Sequence, residues 1–267
     1  MKGRKAAVGV FDSGIGGLTV LKNCAEVFPL AQYYYLGDNQ NAPYGERSED
    51  EIFCFTDRCV KKLIRKKVSA VVLACNTATA VCIARLRVKY PDVAFIGTEP
   101  AVLPAVRKGG NILVLCTPKT AHSQRLCGLI QRVPDAKITV YACCNLAKEV
   151  EDCVANSRTI DLSSHLPCGT FDGVVLGCTH YVWLKEKIQA FYSSPVYDGN
   201  EGVARRLKEV FLEKLGTNDH LFPQEGKEKD EKNKCLQKKR KKGVKFPIFL
   251  GKSRKTNKNI YKQMFVS

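Results

Sequence analysis

The sequence predicts an α/β fold of two similar parallel-sheet subdomains related by a pseudo-twofold axis, with the active site in the cleft between them. Three observations predict it. Short apolar runs alternate with stretches of helical spacing, the pattern of strands joined by crossover helices. Residues 70–77 read Ala-Val-Val-Leu-Ala-Cys-Asn-Thr and residues 173–180 read Gly-Val-Val-Leu-Gly-Cys-Thr-His, so one motif stands once in each half of the chain. The frame around the motif repeats too: a strand ending at Asp12 precedes Cys75 by 63 residues, and a strand ending near Cys116 precedes Cys178 by 62.

In chain order, strand-like runs fall at Ala7 to Phe11, Tyr33 to Leu36, Ala70 to Leu73, Val93 to Ile96, Ile112 to Leu115, Ile138 to Tyr141 and Val174 to Leu176, with a shorter run at Pro195 to Tyr197. Helical spacing occupies Leu18 to Val27, Glu51 to Arg65, Thr79 to Val88, Leu146 to Val154 and Gly202 to Leu215. Uninterrupted Val/Leu runs suit strands buried on both faces of a parallel sheet. Pro100, Pro104 and Gly109-Gly110 cluster between residues 98 and 110 and mark a boundary. The expected division is residues 1–99 with 198–223 as the first subdomain and 100–197 as the second, followed by a basic, disordered tail over 224–267. The apolar patch Phe246 to Leu250 interrupts that tail.

A chain of 267 residues has ample length for a core, and 45% hydrophobic content is that of a globular protein. No apolar run approaches the roughly 20 residues that cross a bilayer. Met-Lys-Gly-Arg-Lys leads directly into the first strand with no secretory core, so a cytoplasmic protein without membrane insertion is expected. The thirteen cysteines are scattered through strand and helix patterns, which reads as buried thiols and not as a disulfide framework. The net charge of +17 is uneven. Residues 224–267 hold 15 Lys/Arg against 4 Asp/Glu, a net of +11, and the preceding 223 residues carry only +6. The run Lys238-Lys239-Arg240-Lys241-Lys242 would bind polyanions weakly. A nucleic-acid-binding protein is the rival class this charge raises, but no aromatics interleave the basic run.

Cys75 and Cys178 each sit at the carboxyl end of a parallel strand, where open α/β sheets build their sites. Each also opens a helical stretch, whose partial positive charge favours thiolate over thiol. Asp12-Ser13-Gly14-Ile15-Gly16-Gly17 follows the first strand, and its bare glycines suggest a backbone nest for an anion, with Asp12 holding an ammonium. A helix-capping Asp-Ser in a glycine turn is the plainer alternative. A zinc set of Cys75, Cys178, His180 and a carboxylate lacks short ligand spacing, and no metal is expected. His122 and His220 stand in polar contexts and His165 in an apparent helix, as surface residues. Glu99 and Glu151 are carboxylates that could reach a cleft histidine, with Glu149 competing on the helix that carries Glu151. Two opposed thiols suit one reaction type, proton removal from one face of a stereocentre and return to the other. Such a proton is weakly acidic, so the site must stabilise a carbanion-like state, with a thiolate as base.

Asp12-Ser13-Gly14-Ile15-Gly16-Gly17-Leu18, Pro43-Tyr44-Gly45, Cys75-Asn76-Thr77 and Gly177-Cys178-Thr179-His180-Tyr181 together resemble the glutamate racemases, cofactor-independent enzymes that make D-glutamate for peptidoglycan. The pieces are spread over residues 8 to about 215 in that family's order and spacing. The resemblance implies two α/β subdomains with glutamate at their interface and no cofactor. It implies Cys75 and Cys178 as the two bases, the first acting on D-glutamate and the second on L-glutamate. Asp12, His180 and Glu151 are implied as assistants to the thiols. Asp12, Ser13, Tyr44, Gly45, Asn76, Thr77, Thr179 and His180 are implied as substrate contacts. A homodimer is the expected assembly. The chain departs from the family at Tyr181-Val182-Trp183-Leu184, Asp198-Gly199 and Cys143-Cys144-Asn145, all outside the thiols. Aspartate racemase is the nearest rival activity, and a catalytically silent relative is disfavoured by the intact thiol pair.

Overall fold

The computed structural model describes residues 6–156, 158–215 and 247–265. The first subdomain contains β1 (Ala7–Asp12), α1 (Gly17–Val27), β2 (Gln32–Gly37), α2 (Glu49–Ile64), β3 (Ala70–Leu73), α3 (Asn76–Lys89) and β4 (Ala94–Gly97). A short α4 (Val102–Val106) leads into β5 (Asn111–Cys116), α5 (Pro118–Ala121), α6 (Gln124–Gln131), β6 (Lys137–Ala142), α7 (Leu146–Asn156) and β7 (Gly173–Gly177). A 3₁₀ turn (Thr179–Leu184), α8 (Lys185–Tyr192) and β8 (Val196–Asp198) complete the second subdomain. The chain then returns to the first with α9 (Asn200–Leu215), where Phe211 meets Phe28 edge-on at 4.9 Å. Two further elements follow, β9 (Ile248–Phe249) and α10 (Arg254–Phe265).

Every strand pairing is parallel. One sheet has the order β4-β3-β1-β2-β9 and the other β6-β5-β7-β8. Read from its other edge, the second becomes β8-β7-β5-β6 and matches β4-β3-β1-β2 strand for strand. The repeat in the sequence is therefore a repeat of topology, and β3 before Cys75 corresponds to β7 before Cys178.

Strand alternation builds the core on both faces of each sheet. Ala70 and Val72 pack with α1 and α9 residues such as Leu18, Leu21 and Leu207. Val71 and Leu73 face the other way, with Ile52, Val60 and Leu63 of α2. In the second sheet Leu113 and Leu115 join Val174 and Leu176 on one face, and Ile112, Val114 and Val175 take the other. The expected two-sided burial fails at β6, an edge strand with alternately open positions and Val140 exposed. Local signals fix the helix ends. Ser48 and Glu51 form a reciprocal capping box at the start of α2.

The tail assignment needs correction. Residues 247–265 are not a disordered arm. Tyr34 and Tyr35 of β2 pair with Ile248 and Phe249, and α10 buries Asn257, Ile260 and Tyr261 against the first subdomain. Their i, i+3, i+4 spacing is the inward face of an amphipathic helix, with Arg254, Lys255, Lys258 and Lys262 exposed. The basic run 238–242, His220 and the rest of 216–246 lie outside the described residues. Among the described residues no helix is long and apolar enough to cross a membrane.

Candidate active site

Cys178 directly follows the last residue of β7 and Cys75 lies two residues past the end of β3, where the two subdomains meet. Cys75 caps α3 and its sulfur accepts the Ala78 N–H at 3.4 Å and the Ser13 hydroxyl at 3.4 Å. Burial pushes its thiol pKa up to about 12, and the negative charge of Asp12 adds to this. The donors Ser13 and Ala78 pull the other way without offsetting it. At Cys75, burial and the Asp12 charge thus oppose the expected helix-terminus thiolate. Cys178 opens a 3₁₀ turn instead of a regular helix. Beside it lies His180, whose Nδ1 is 3.7 Å from the sulfur.

His180 is 2% exposed, and its Nε2 lies 2.7 Å from Oε1 of Glu151. Burial opposes a charged ring, but Cys178 and Glu151 overcome it and hold the His180 pKa well above its ordinary value. Glu151 shows the reverse balance. Burial would raise its pKa, but His180, the Ile15 N–H and Asn39 together lower it. The competition on α7 is settled by geometry. Residues two apart point to different faces of a helix, and Glu149 turns outward to His165 at 2.9 Å. His165 lies in a turn and not in a helix.

The glycine loop after β1 also departs from expectation. Its N–H groups bind anions, but the anions are the protein's own. Gly14 N–H donates to Asp12 Oδ2 at 2.9 Å, and Ile15 N–H donates to Glu151 Oε1 at 2.7 Å, which ties the first subdomain to α7 of the second. Gly16 is required by close approach, since a Cβ there would lie 2.7 Å from the His180 backbone nitrogen. Asp12 is fully buried and also accepts from Thr179 Oγ1 at 3.1 Å. Desolvation raises its pKa despite His180 and the N–H donors of Gly14 and Gly17.

The remaining sequence-predicted residues surround this network. Thr77 Oγ1 lies 2.9 Å from Thr117 Oγ1 and 3.2 Å from Thr120 Oγ1, so hydroxyls of both subdomains meet. Asn76 Oδ1 is buried with no partner among the described residues. The Tyr44 hydroxyl is committed to Asp38 at 2.8 Å, while the Gly45 carbonyl accepts the Lys119 N–H of the second subdomain at 3.2 Å. Glu99 is not part of the site. It pairs with Arg125 and lines a separate cleft of about 1620 Å³ with Arg87, Trp183 and Arg206. Among the described residues no three His, Cys, Asp or Glu side chains gather as a metal site requires.

Sequence reasoning passed over Thr117, Thr120, Asn39 and Asn257. Thr117 had a signal, because the repeat that aligns Asp12 with Cys116 also aligns Ser13 with Thr117.

Two like α/β halves meet beside two thiols, each with ionisable side chains near it, on a fold shared with known racemases. The chain belongs to the Asp/Glu/hydantoin racemase family, which matches residues 19–207. It is 36% identical to the glutamate racemase of Clostridium acetobutylicum over 210 residues, 75% of this chain and 82% of that protein. It is 37% identical to the glutamate racemase of Lachnospira eligens over 221 residues, 78% and 82% of the two chains. Among solved structures it is similar to Escherichia coli glutamate racemase in complex with L-glutamate and the activator UDP-MurNAc-Ala, with TM-score 0.71 and 28% identity over 79% of this chain and 84% of that one. Glutamate racemase from Bacillus anthracis matches with TM-score 0.71 and 27% identity over 92% and 98% of the two chains.

Proposed function

We propose that this racemase interconverts L- and D-glutamate by a cofactor-independent two-thiol exchange of the Cα proton, and so supplies D-glutamate for peptidoglycan in the cytoplasm. The observation that carries the reading is the pair of thiols on corresponding strands, each with its own acid–base surroundings. With L-glutamate bound, the proton of Cys178 already resides on His180, whose imidazolium Glu151 holds. The Cys178 thiolate removes the Cα proton. Cys75, kept as a thiol at neutral pH by its burial, donates its proton to the opposite face. The reverse reaction begins with the Cys75 thiolate as base, and Asp12, whose pKa is raised, is suited to receive that thiol's proton.

Glutamate as substrate is supported by the activity of the similar racemases and by L-glutamate in the E. coli structure. The unpartnered Asn76 Oδ1 beside Cys75 is an acceptor that an ammonium would satisfy. Ser13, Thr77, Thr179, Tyr44 and Gly45 complete the proposed substrate shell. The proposed assembly is a homodimer, checked by the mass in light scattering. The test of the reaction is polarimetry with each enantiomer of glutamate and of aspartate. Racemisation of glutamate without added cofactor is expected, and turnover confined to aspartate would replace this reading with its rival.

A further inference from the structure

An unbroken line of side-chain contacts joins the C-terminal helix to the second thiol. Asn257 of α10 is fully buried. Its Nδ2 donates to Asn39 Oδ1 at 3.1 Å, across 218 positions of sequence. Asn39 Nδ2 in turn donates to Glu151 Oε2 at 3.2 Å. The other Glu151 oxygen meets His180 Nε2, and His180 Nδ1 meets Cys178. Space is reserved for the amide pair. A Cβ on Gly37 would stand 2.8 Å from Asn257 Nδ2 and 2.9 Å from Asn39 Oδ1.

The direction of these bonds matters. A carboxamide has one accepting end and one donating end, and its orientation follows from the network around it. Asn257 donates to the oxygen of Asn39, which leaves the Asn39 NH2 facing Glu151. Turned over, Asn39 would set its oxygen against a carboxylate. Without Asn257 only the Glu151 carboxylate at the other end still selects the Asn39 NH2, and the Asn39 oxygen loses its donor.

We propose that Asn257 is a positioning residue for the Cys178 side of the site: by orienting the Asn39 amide it holds the Glu151 carboxylate on His180. The proposal rests on the reading of Cys178, His180 and Glu151 as one arm of the two-thiol exchange. It makes the C-terminal segment part of the reaction machinery and not only of the sheet.

The test uses the full chain with Asn257→Asp, Asn257→Ala, Asn39→Leu and, as a control, Ile260→Ala on the same helix. Asn257→Asp keeps the shape but can only accept, so it competes with Glu151 for the Asn39 NH2. It is expected to lower kcat about tenfold or more with little change in KM. It also moves the acid limb of the kcat/KM profile to higher pH, because Glu151 loses a donor. Asn257→Ala and Asn39→Leu move the limb in the same direction. In a Glu151→Gln background Asn257→Ala has no further effect, as expected of residues acting through one carboxylate. Ile260→Ala lowers the melting temperature and leaves the limb in place. Wild-type kcat and an unmoved limb in folded Asn257 variants would overturn the proposal, as would a full additional loss in the Glu151→Gln background. So would a shift reproduced by Ile260→Ala. If Asn257→Asp does not fold, Asn257→Ala decides by the same limb. Cys178→Ser measured alongside separates the two readings. If it still racemises, the two-thiol reading falls and this proposal with it. If it is inactive while the Asn257 variants behave as wild type, only the positioning role falls.

Discussion

Thr179 Oγ1 donates to Asp12 Oδ1 at 3.1 Å, so the residue after one thiol holds the carboxylate that ends the first strand of the other subdomain. Asp12 is buried, and its charged form depends on such donors. A hydrogen bond to a charged group contributes about 1.5–3 kcal/mol. Thr179→Val removes one of those donors and is therefore expected to raise the Asp12 pKa further. The acid limb of racemisation should move upward with it. A pH–rate profile with an unmoved limb would separate Asp12 from the reaction.

Cys75→Ser and Cys178→Ser should each abolish racemisation, because a serine hydroxyl is a far weaker base and each face needs its own. Proton exchange on one face can survive. In deuterated water the wild type should place deuterium at Cα of the product enantiomer. Mass spectrometry of the product checks this, and near-wild-type racemisation by either variant would remove that thiol from the mechanism.

Much of this site was legible because it lies where sequence and topology coincide. Val71, Val72 and Leu73 are buried on both faces, so their run announces a strand, and Cys75 follows its end. The twofold frame then pointed to Cys178. What stayed hidden was decided by contacts across long sequence distances. The glycine loop reads as an anion nest, but nothing local says that Glu151, 136 positions from Ile15, is one of its anions. The two-residue strand β9 is too short to show a period, and α10 presents an asparagine beside the buried positions 260 and 261. A polar residue on the inward face masks the amphipathic signal.

The Glu151–His180 pair sets a pH window for stability. His180 has a raised pKa in the folded chain, so its contribution is complete below its ordinary value of 6.5 and is lost as pH rises toward the folded value. Glu151 has a lowered pKa, so its contribution is complete above its ordinary value of 4.5 and is lost as pH falls. The difference in melting temperature between wild type and Glu151→Gln should therefore be largest between about pH 4.5 and 6.5 and shrink on both sides. Thermal unfolding across pH 4 to 9 measures it. A difference independent of pH would mean that the pair is not charged.

The basic run 238–242 is expected to govern adhesion to polyanions without entering the reaction. Replacing its five Lys and Arg residues by Gln should reduce retention on heparin and flatten its salt dependence, since fewer counterions are released. Racemase turnover should be unchanged. Equal retention of both proteins would assign the adhesion to another basic surface.

Deleting everything after Pro223 is expected to damage the enzyme, contrary to the behaviour of a simple charged arm. Phe249, Ile260 and Tyr261 lie in one cluster with Val8, Val10, Tyr33 and Tyr35. Each fully buried side chain of this size contributes about 1.5–3 kcal/mol. The total is several kcal/mol against a whole-domain stability of about 5–15 kcal/mol. The truncated chain should thus melt well below the full one. It should also lose turnover at temperatures where it remains folded, because Asn257 leaves with α10 and Asn39 is no longer oriented toward Glu151. Circular dichroism melting and racemisation at a temperature below both transitions separate the two effects. Wild-type melting would show that β9 and α10 add nothing to the core. A lowered melting temperature with full turnover and an unmoved acid limb would confine their role to packing.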